Sequence, residues 1–164
     1  MTISASGVVS AADIRTEFGF SGTVSFADLY RGGSHIRAKA ANNNGTNLAA
    51  SVPTSGTITF DNFRGTAKAF RYTYTSGATN QNASALFGDD YAVNYPKEIV
   101  INSGVELGAT STSEEALEIP SGGSGTIVVT NNGTLSGAGG AAGAAGGDAF
   151  EAAVAVTLIN NGII

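Results

Sequence analysis

The side chains that could carry out chemistry are few and far apart. The single histidine, His35, lies in the basic segment 31–39, and the adjacent acidic pairs are Asp89-Asp90 and Glu114-Glu115. Carboxylate pairs can ligate calcium through oxygen, but neither pair has the alternating donor spacing of a calcium-binding loop. We therefore interpret His35 as part of a solvated loop and the acidic pairs as exposed surface, rather than as catalytic or metal-binding sites.

Known catalytic motifs are missing from the sequence. There is no cysteine, no Gly-x-Ser-x-Gly elbow, no phosphate-binding loop and no dinucleotide fingerprint. Asp89 and Glu118 could pair for glycoside hydrolysis, as in a β-solenoid depolymerase, but the sequence does not place them together. Four tyrosines could stack on sugars, although ordinary packing is the favoured interpretation. They are Tyr72, Tyr74, Tyr91 and Tyr95. The sequence thus predicts no enzyme activity, no cofactor and no metal site.

The composition limits the kind of core that the chain can form. Alanine and glycine together supply 49 of the 164 residues. Small side chains bury little apolar area, at roughly 25 cal/mol per Å², so we expect an assembly in which neighbouring chains contribute buried surface. The net charge of −5 argues against a nucleic-acid-binding protein. No apolar run is long enough to predict a membrane-spanning helix.

The charge is distributed unevenly along the chain. Residues 1–71 carry seven basic and four acidic groups, whereas residues 72–164 carry one basic and nine acidic groups. This asymmetry predicts two regions with different neighbours. We expect an N-terminal attachment region of three short strand-helix units over residues 1–67, and a β-rich, glycine-rich repeat region over residues 68–164.

A short unit occurs three times in the N-terminal region. In each copy, a serine or threonine that can cap a helix is followed three residues later by aspartate or asparagine, which is a variant of the capping box. The pairs are Ser10 with Asp13, Ser25 with Asp28, and Thr59 with Asn62. The motif predicts three capped helices of one or two turns, each ended by a glycine, namely Gly19, Gly32 and Gly65.

Apolar residues flank each cap at the spacing of a hydrophobic staple. The pairs are Val9 with Ile14, Val24 with Leu29, and Ile58 with Phe63. We expect these six side chains to build small cores and three arginines to offer charged contacts to partner proteins. The arginines are Arg15, Arg31 and Arg64. Together with Asp13 and Asp28, these are the predicted assembly residues.

The segments around these units give weaker signals. Residues 32–53 are rich in asparagine, alanine and serine, which predicts a surface loop or linker. Aromatic and polar residues alternate over 69–75, which predicts a strand. The polar stretch 76–90 predicts a loop.

A second repeat has a fixed period. The motif Asn-x-Gly occurs at 102–104, 131–133 and 160–162, which are 29 residues apart, and each copy follows a β-rich run. A period of this length indicates stacked supersecondary units, whereas Asn-Gly between β-rich runs also fits hairpin turns. Solenoid rungs and successive hairpins are both open. A shorter echo relates residues 115–118 to residues 148–151.

Glycine recurs at every third residue from Gly137 to Gly146. This pattern matches a left-handed extended helix with a glycine edge, and a flexible linker is the alternative. The sequence ends in mid-pattern without a polar cap. Because repeat arrays normally have a capping unit, we expect that another chain covers this end or that the natural protein continues.

Three stretches of the N-terminal region resemble the N-terminal region common in bacteriophage tail fibre proteins, particularly those of cyanophages and other aquatic phages. They are residues 12–19, 25–33 and 52–59, and the resemblance covers residues 3–67. The glycine-rich stretch 131–140 is similar to distal parts of phage adhesins and tail-tip proteins. The resemblance implies a virion protein, usually trimeric, whose N-terminal region docks on the tail or baseplate and whose distal region meets the host surface.

We therefore expect a mainly β protein with short capped helices at the N-terminus and a repeat-containing β shaft or solenoid, completed by oligomerisation. The expected function is that of a non-enzymatic tail fibre protein, or the tail-attached portion of one, in the virion. Its expected partners are other tail or baseplate proteins, further copies in a homotrimer, and a host surface glycan or protein. The alternatives are a receptor-binding adhesin that recognises surface glycans, and a capsid decoration or head fibre protein.

Overall fold

The computed structural model describes residues 2–164, which form two compact units. The N-terminal unit comprises Met1–Lys39 and Thr46–Phe70, and the solenoid unit comprises Ala40–Gly45 and Arg71–Ile164. Within residues 2–164, none of the helices has the length and apolar character needed to cross a bilayer.

The N-terminal unit contains three short capped helices. Helix α1 spans Ala11–Phe18, two 3-10 helices span Phe26–Leu29 and Phe60–Phe63, and strand β1 spans Thr46–Asn47. The Asp13 N–H donates to the Ser10 hydroxyl at 3.2 Å, and the Ser10 N–H donates to the Asp13 carboxylate at 2.8 Å. The same reciprocal capping box is present in both 3-10 helices. The prediction of short capped helices is therefore confirmed.

The N-terminal unit has one apolar core. The buried residue at the fourth position of each capped helix belongs to it, namely Ile14, Leu29 and Phe63, and Val9 is buried with them. Ile58 packs against this core, and Val24 is half-buried. The expectation of separate small cores is thus wrong. A four-residue 3-10 helix buries too little apolar area for a core of its own.

The prediction of a surface loop over residues 32–53 is also wrong. Ile36 and Ala49 are buried in the core of the N-terminal unit. Residues 40–45 belong to the solenoid unit, where the Ala40 N–H and the Asn43 side-chain amide donate to the buried Asp90 carboxylate at 2.7 and 2.9 Å. The polar composition was misleading because the asparagines form hydrogen bonds inside the protein.

The solenoid unit is built from strands stacked in three sheets. The strands are β2 (Phe70–Tyr74), β3 (Ala78–Thr79), β4 (Gln81–Asn82), β5 (Lys97–Ile101), β6 (Glu106–Gly108), β7 (Leu117–Ile119), β8 (Ile127–Asn131), β9 (Thr134–Ser136), β10 (Phe150–Ala152) and β11 (Thr157–Asn160). The first sheet has the order β2-β5-β8-β11, the second β3-β6-β9 and the third β4-β7-β10. Each turn of the chain contributes one strand to each sheet, and the fold is a β-solenoid of about three turns.

Parallel pairing rejects the hairpin alternative. β5, β8 and β11 pair in parallel, as do β3, β6 and β9, and β4, β7 and β10. Strands joined by a hairpin turn would be antiparallel. The prediction of a mainly β, solenoid-like protein is therefore confirmed.

Residues 76–90 form regular structure instead of the predicted loop. After β3 and β4, helix α2 spans Ala83–Phe87 and a 3-10 helix spans Gly88–Asp90. Leu86 and Phe87 are buried. The sequence hid these elements because two-residue strands are too short to show an alternating pattern.

The strand register differs from the 29-residue period in its first step. Ile101 pairs with Asn131, 30 residues later, and Leu107 pairs with Leu135, 28 residues later. In the next step, Asn131 pairs with Asn160 at the expected 29. The connection after β5 is two residues longer than the one after β8, so the shorter second offset follows. The echo of 115–118 in 148–151 is an in-register pairing of β7 with β10.

Alternate strand residues fill the interior of the solenoid unit. They are Ile99, Ile101, Leu107, Leu117, Ile119, Ile127, Val129 and Leu135. Lys97, at the start of β5, is also buried, and its ammonium group donates to three backbone carbonyls at 2.7–2.9 Å. Neighbouring turns are further linked by Asn131, whose side-chain amide donates to Asn160 Oδ1 at 2.8 Å.

Candidate docking surface

Hydrogen bonds link the three capped helices of the N-terminal unit into a closed cycle. Arg15 donates to the carbonyl of Gly22 at 3.2 Å, the Tyr30 hydroxyl to that of Gly56, and Arg64 to that of Gly7. In each case the donor lies five residues after its own N-cap, and the acceptor lies three residues before the N-cap of the next unit.

The cycle runs from the first unit to the second, from the second to the third, and from the third back to the first. Equivalent positions therefore make equivalent contacts, which is the pattern of an approximate internal three-fold arrangement. We call residues 7–15, 22–30 and 56–64 together the capped ring.

The acceptor glycines adopt a left-handed backbone conformation. Gly7, Gly22 and Gly56 have φ angles of +87°, +79° and +84°. A Cβ at any of the three positions would meet no atom within 4 Å. Glycine is thus required here by backbone conformation and not by lack of space.

Large apolar side chains are exposed on the capped ring. Val8 is 92% exposed, Phe26 46% and Phe60 41%. Phe26 and Phe60 begin the second and third helices, and their rings meet edge to face with centroids 5.8 Å apart. Ala11 occupies the same position in the first unit. Clustered exposed apolar groups mark interaction surfaces, so the capped ring is a candidate docking surface.

The solenoid unit has a different kind of exposed feature, a stack of loops between its second and third sheets. The side-chain amide of Asn80 donates to the Thr110 hydroxyl at 2.6 Å, and the Thr110 N–H donates back to Asn80 Oδ1 at 2.9 Å. One turn later, Gly147 lies so close that a Cβ would be 2.8 Å from Thr112 Cα. Glycine is needed at 147 for this close approach.

The glycine-rich stretch folds back on itself within the last of these loops. The Gly147 N–H donates to the Ala138 carbonyl at 2.8 Å, and the Ala144 N–H donates to the Ala141 carbonyl at 2.8 Å. Residues 138–147 therefore form a closed excursion with a turn at 141–144 between β9 and β10.

Acidic side chains cluster on the sheet formed by β4, β7 and β10. Glu118 pairs in register with Asn82 and Glu151, and it accepts a hydrogen bond from the Asn82 amide. A hydrogen bond to Glu115 and the negative charge of that group raise the pKa of Glu151, with Glu118 and Asp148 adding to the effect. Residues 2–164 contain no cluster of histidine and carboxylate side chains that could hold a metal ion.

Comparison with known proteins assigns the second half of the chain. Residues 69–164 match the family model of the phage tail fibre adhesin Gp38. The chain belongs to this adhesin family. No curated protein and no solved structure matches it. The adhesin is thus a phage tail fibre protein with a role in host attachment, located in the tail of the virion, and the expected resemblance to tail fibres is confirmed. A tail location also argues against the head-fibre alternative.

The predicted assembly residues of the adhesin occupy three environments. Val9, Ile14, Leu29 and Phe63 are buried in the core, with Ile58 packed against them and Val24 half-buried. Asp13 and Asp28 lie in capping boxes. Arg15 and Arg64 make the cyclic contacts described above, whereas Arg31 donates from Nε to the Val52 carbonyl at 3.0 Å. Their role in assembly stays a prediction.

Sequence reasoning missed several residues of the capped ring. The counterpart of Arg15 and Arg64 in the second unit is Tyr30 and not Arg31, because Tyr30 lies five residues after Ser25. Counting strictly from each N-cap would have identified this position. The same count would have aligned three further residues, namely Ala11, Phe26 and Phe60.

The remaining chemical candidates have structural surroundings. Tyr74, Tyr91 and Tyr95 are buried, so they do not form a sugar-stacking surface. The ring of His35 lies 4.7 Å from that of Phe20. Asp90 is buried, in contrast to the exposed pair that the sequence predicted.

Proposed function

We propose that the adhesin docks onto the tail through the capped ring and acts there as a non-enzymatic structural protein. The observation that carries this proposal is the closed cycle of hydrogen bonds among three equivalent units. The exposed rings of Phe26 and Phe60 support it, because aromatic side chains are enriched at the centres of protein interfaces.

The internal three-fold pattern favours a particular kind of partner. Three equivalent units can make three equivalent sets of contacts with three identical chains. We therefore propose that the partner is the end of a homotrimeric tail or baseplate protein, and that one adhesin chain binds one trimer.

A homotrimer of the adhesin itself, as the resemblance implies, is the second arrangement. The observation in its favour lies in β11, where Leu158 and Ile159 are exposed on the last strand of the first sheet. An edge strand with exposed apolar side chains can pair with another chain.

The test measures binding of the purified adhesin to tail fibres assembled without it. The double substitution Phe26→Ser and Phe60→Ser should weaken docking by about 30-fold, since each aromatic side chain at an interface is worth on the order of 1–2 kcal/mol. Ile159→Ser is the matched control because Ile159 is 44% exposed, close to the exposed fractions of the two phenylalanines. Unchanged docking of the double variant would contradict the proposal.

Stoichiometry separates the two arrangements. Native mass spectrometry of the reconstituted fibre end should show one adhesin chain for three partner chains. Three adhesin chains per fibre, reduced by Ile159→Ser, would support the homotrimer instead.

Host attachment requires a further contact with the cell. The stacked loops of the solenoid unit offer exposed hydroxyl groups at Ser111, Thr112 and Ser113, together with the backbone of residues 138–147. These groups suit hydrogen bonding to a host surface glycan or protein, which stays the predicted receptor.

A further inference from the structure

An apolar cleft of about 290 Å³ opens on the capped ring between its first and second units. Its lining includes the buried side chains of Ile14 and Leu29 and the exposed rings of Phe26 and Phe60. Ala11 and Arg15 of the first unit complete it on the other side. A dry cavity of roughly 150 Å³ can hold benzene, so this cleft has room for an aromatic side chain.

The cleft lies where the internal repeat is incomplete. The first residue of the helix is phenylalanine in the second and third units, and the two rings contact each other. In the first unit the same position is Ala11, which has no side chain beyond Cβ. The three-fold arrangement therefore holds two aromatic rings and an apolar space beside the third position.

The charge beside the cleft selects among apolar occupants. The Arg15 guanidinium lines the cleft, and its side chain is exposed. Its hydrogen bond to the Gly22 carbonyl at 3.2 Å is to a neutral group and leaves the positive charge unbalanced by that contact. A carboxylate on the occupant would complement this charge through a charge-assisted hydrogen bond.

We infer that this cleft is a socket for an aromatic side chain of the docking partner, next to a carboxylate that pairs with Arg15. The inference rests on the proposed docking through the capped ring and names the chemistry of the partner segment. The inserted ring takes the third aromatic place beside Phe26 and Phe60. It buries apolar area that is exposed in the free adhesin, which favours association.

The decisive variant is Ala11→Phe, which places a ring of the adhesin's own in the socket. Docking to tail fibres assembled without the adhesin should weaken at least 10-fold, while the melting temperature is equal or higher. Ala12→Phe is the matched control because Ala12 is the next residue of the same helix, is exposed and does not line the cleft. Its docking should change less than twofold.

A second measurement tests the socket without any substitution. N-acetyl-tryptophan, which carries a carboxylate, and N-acetyl-tryptophan amide, which does not, are titrated into the full chain and followed by NMR. Resonances of Ala11, Phe26 and Phe60 should shift with both probes, and the carboxylate probe should bind more tightly. Arg15→Gln should abolish the difference between the two probes.

The outcomes separate this inference from the proposed function. If Ala11→Phe docks normally and neither probe shifts the socket resonances, the socket is wrong. If the Phe26→Ser, Phe60→Ser variant nevertheless loses docking, the capped ring remains the docking surface. If both variants dock normally, the socket and the proposed function are overturned together.

Discussion

In the N-terminal unit, side chains from three helices meet in one core, whereas in the solenoid unit each buried side chain stacks on its counterpart one turn away. Ile14, Leu29 and Phe63 come from distant parts of the sequence and depend on one another. Ile99 and Val129, by contrast, are partners in neighbouring strands. Stacked repeats are stabilised mainly by nearest-neighbour contacts. The N-terminal unit should therefore unfold as a whole, and the solenoid unit turn by turn.

The largest effect is expected from Phe63→Ala, which removes a fully buried ring from the shared core. It should cost about 3–5 kcal/mol and remove amide-exchange protection from all three capped helices together. Phe60→Ala is the control, because Phe60 belongs to the same 3-10 helix but is exposed. Faster exchange confined to residues 60–63 would show that the three units do not share a core.

The next effect tests the close stacking of turns in the solenoid unit. A Cβ at Gly133 would lie 2.1 Å from the Val105 carbonyl oxygen and 2.6 Å from that of Asn102. Gly133→Ala should therefore cost about 3 kcal/mol, near the upper end for overpacking, and raise amide exchange in β8 and β9.

Gly104→Ala is the matched control in the preceding turn. Gly104 has a φ angle of +77° but no atom within 4 Å of a Cβ. Only backbone strain of about 1 kcal/mol is expected there. Equal effects of the two substitutions would mean that the turns are not closely stacked at Gly133.

The smallest effect is a difference in pH dependence. Hydrogen bonds from the Ser10 hydroxyl and N–H lower the pKa of Asp13, whereas Glu115 raises that of Glu151. A lowered pKa stabilises the fold above the unfolded value, near 3.9 for aspartate, and this is lost as pH falls through the folded value. A raised pKa stabilises the fold below the unfolded value, near 4.3 for glutamate, and this is lost as pH rises through the folded value.

Two variants measure this difference in melting temperature against pH. Asp13→Asn should destabilise the N-terminal unit at pH 7, with a difference that vanishes below the folded pKa of Asp13. Glu151→Gln should stabilise the solenoid unit at pH 7, with a difference that vanishes in acid. Parallel pH profiles for the two variants would contradict the assignment.

Local patterns predicted much of the fold. The capping boxes at Ser10, Ser25 and Thr59 follow from hydrogen bonds between residues three positions apart, and such contacts are encoded locally. The strand at 69–75 was predicted from alternation, and the stacked turns from the repeated Asn-x-Gly motif. The 30- and 28-residue offsets were not predictable, because they depend on how Gly133 packs over the turn after β5.

The candidate site was predicted only in its parts. The sequence identified Arg15 and Arg64 as assembly residues, but the closed cycle requires knowing that each reaches the glycine of another unit. Tyr30 was overlooked because its side chain differs from arginine, although both can donate to a carbonyl. Chemical equivalence at one position was more informative here than identity of residue type.

What the sequence by itself determined is the set of local elements: three capped helices, β-rich runs at a regular period, and no catalytic motif among 164 residues. Only the tertiary structure decided that the three helices close into a ring and that the β-rich runs stack in parallel. The physical reason is that caps and turns depend on hydrogen bonds between near neighbours in the chain. Ring closure, strand register and the cleft beside Ala11 depend on side chains and backbone groups brought together from distant positions.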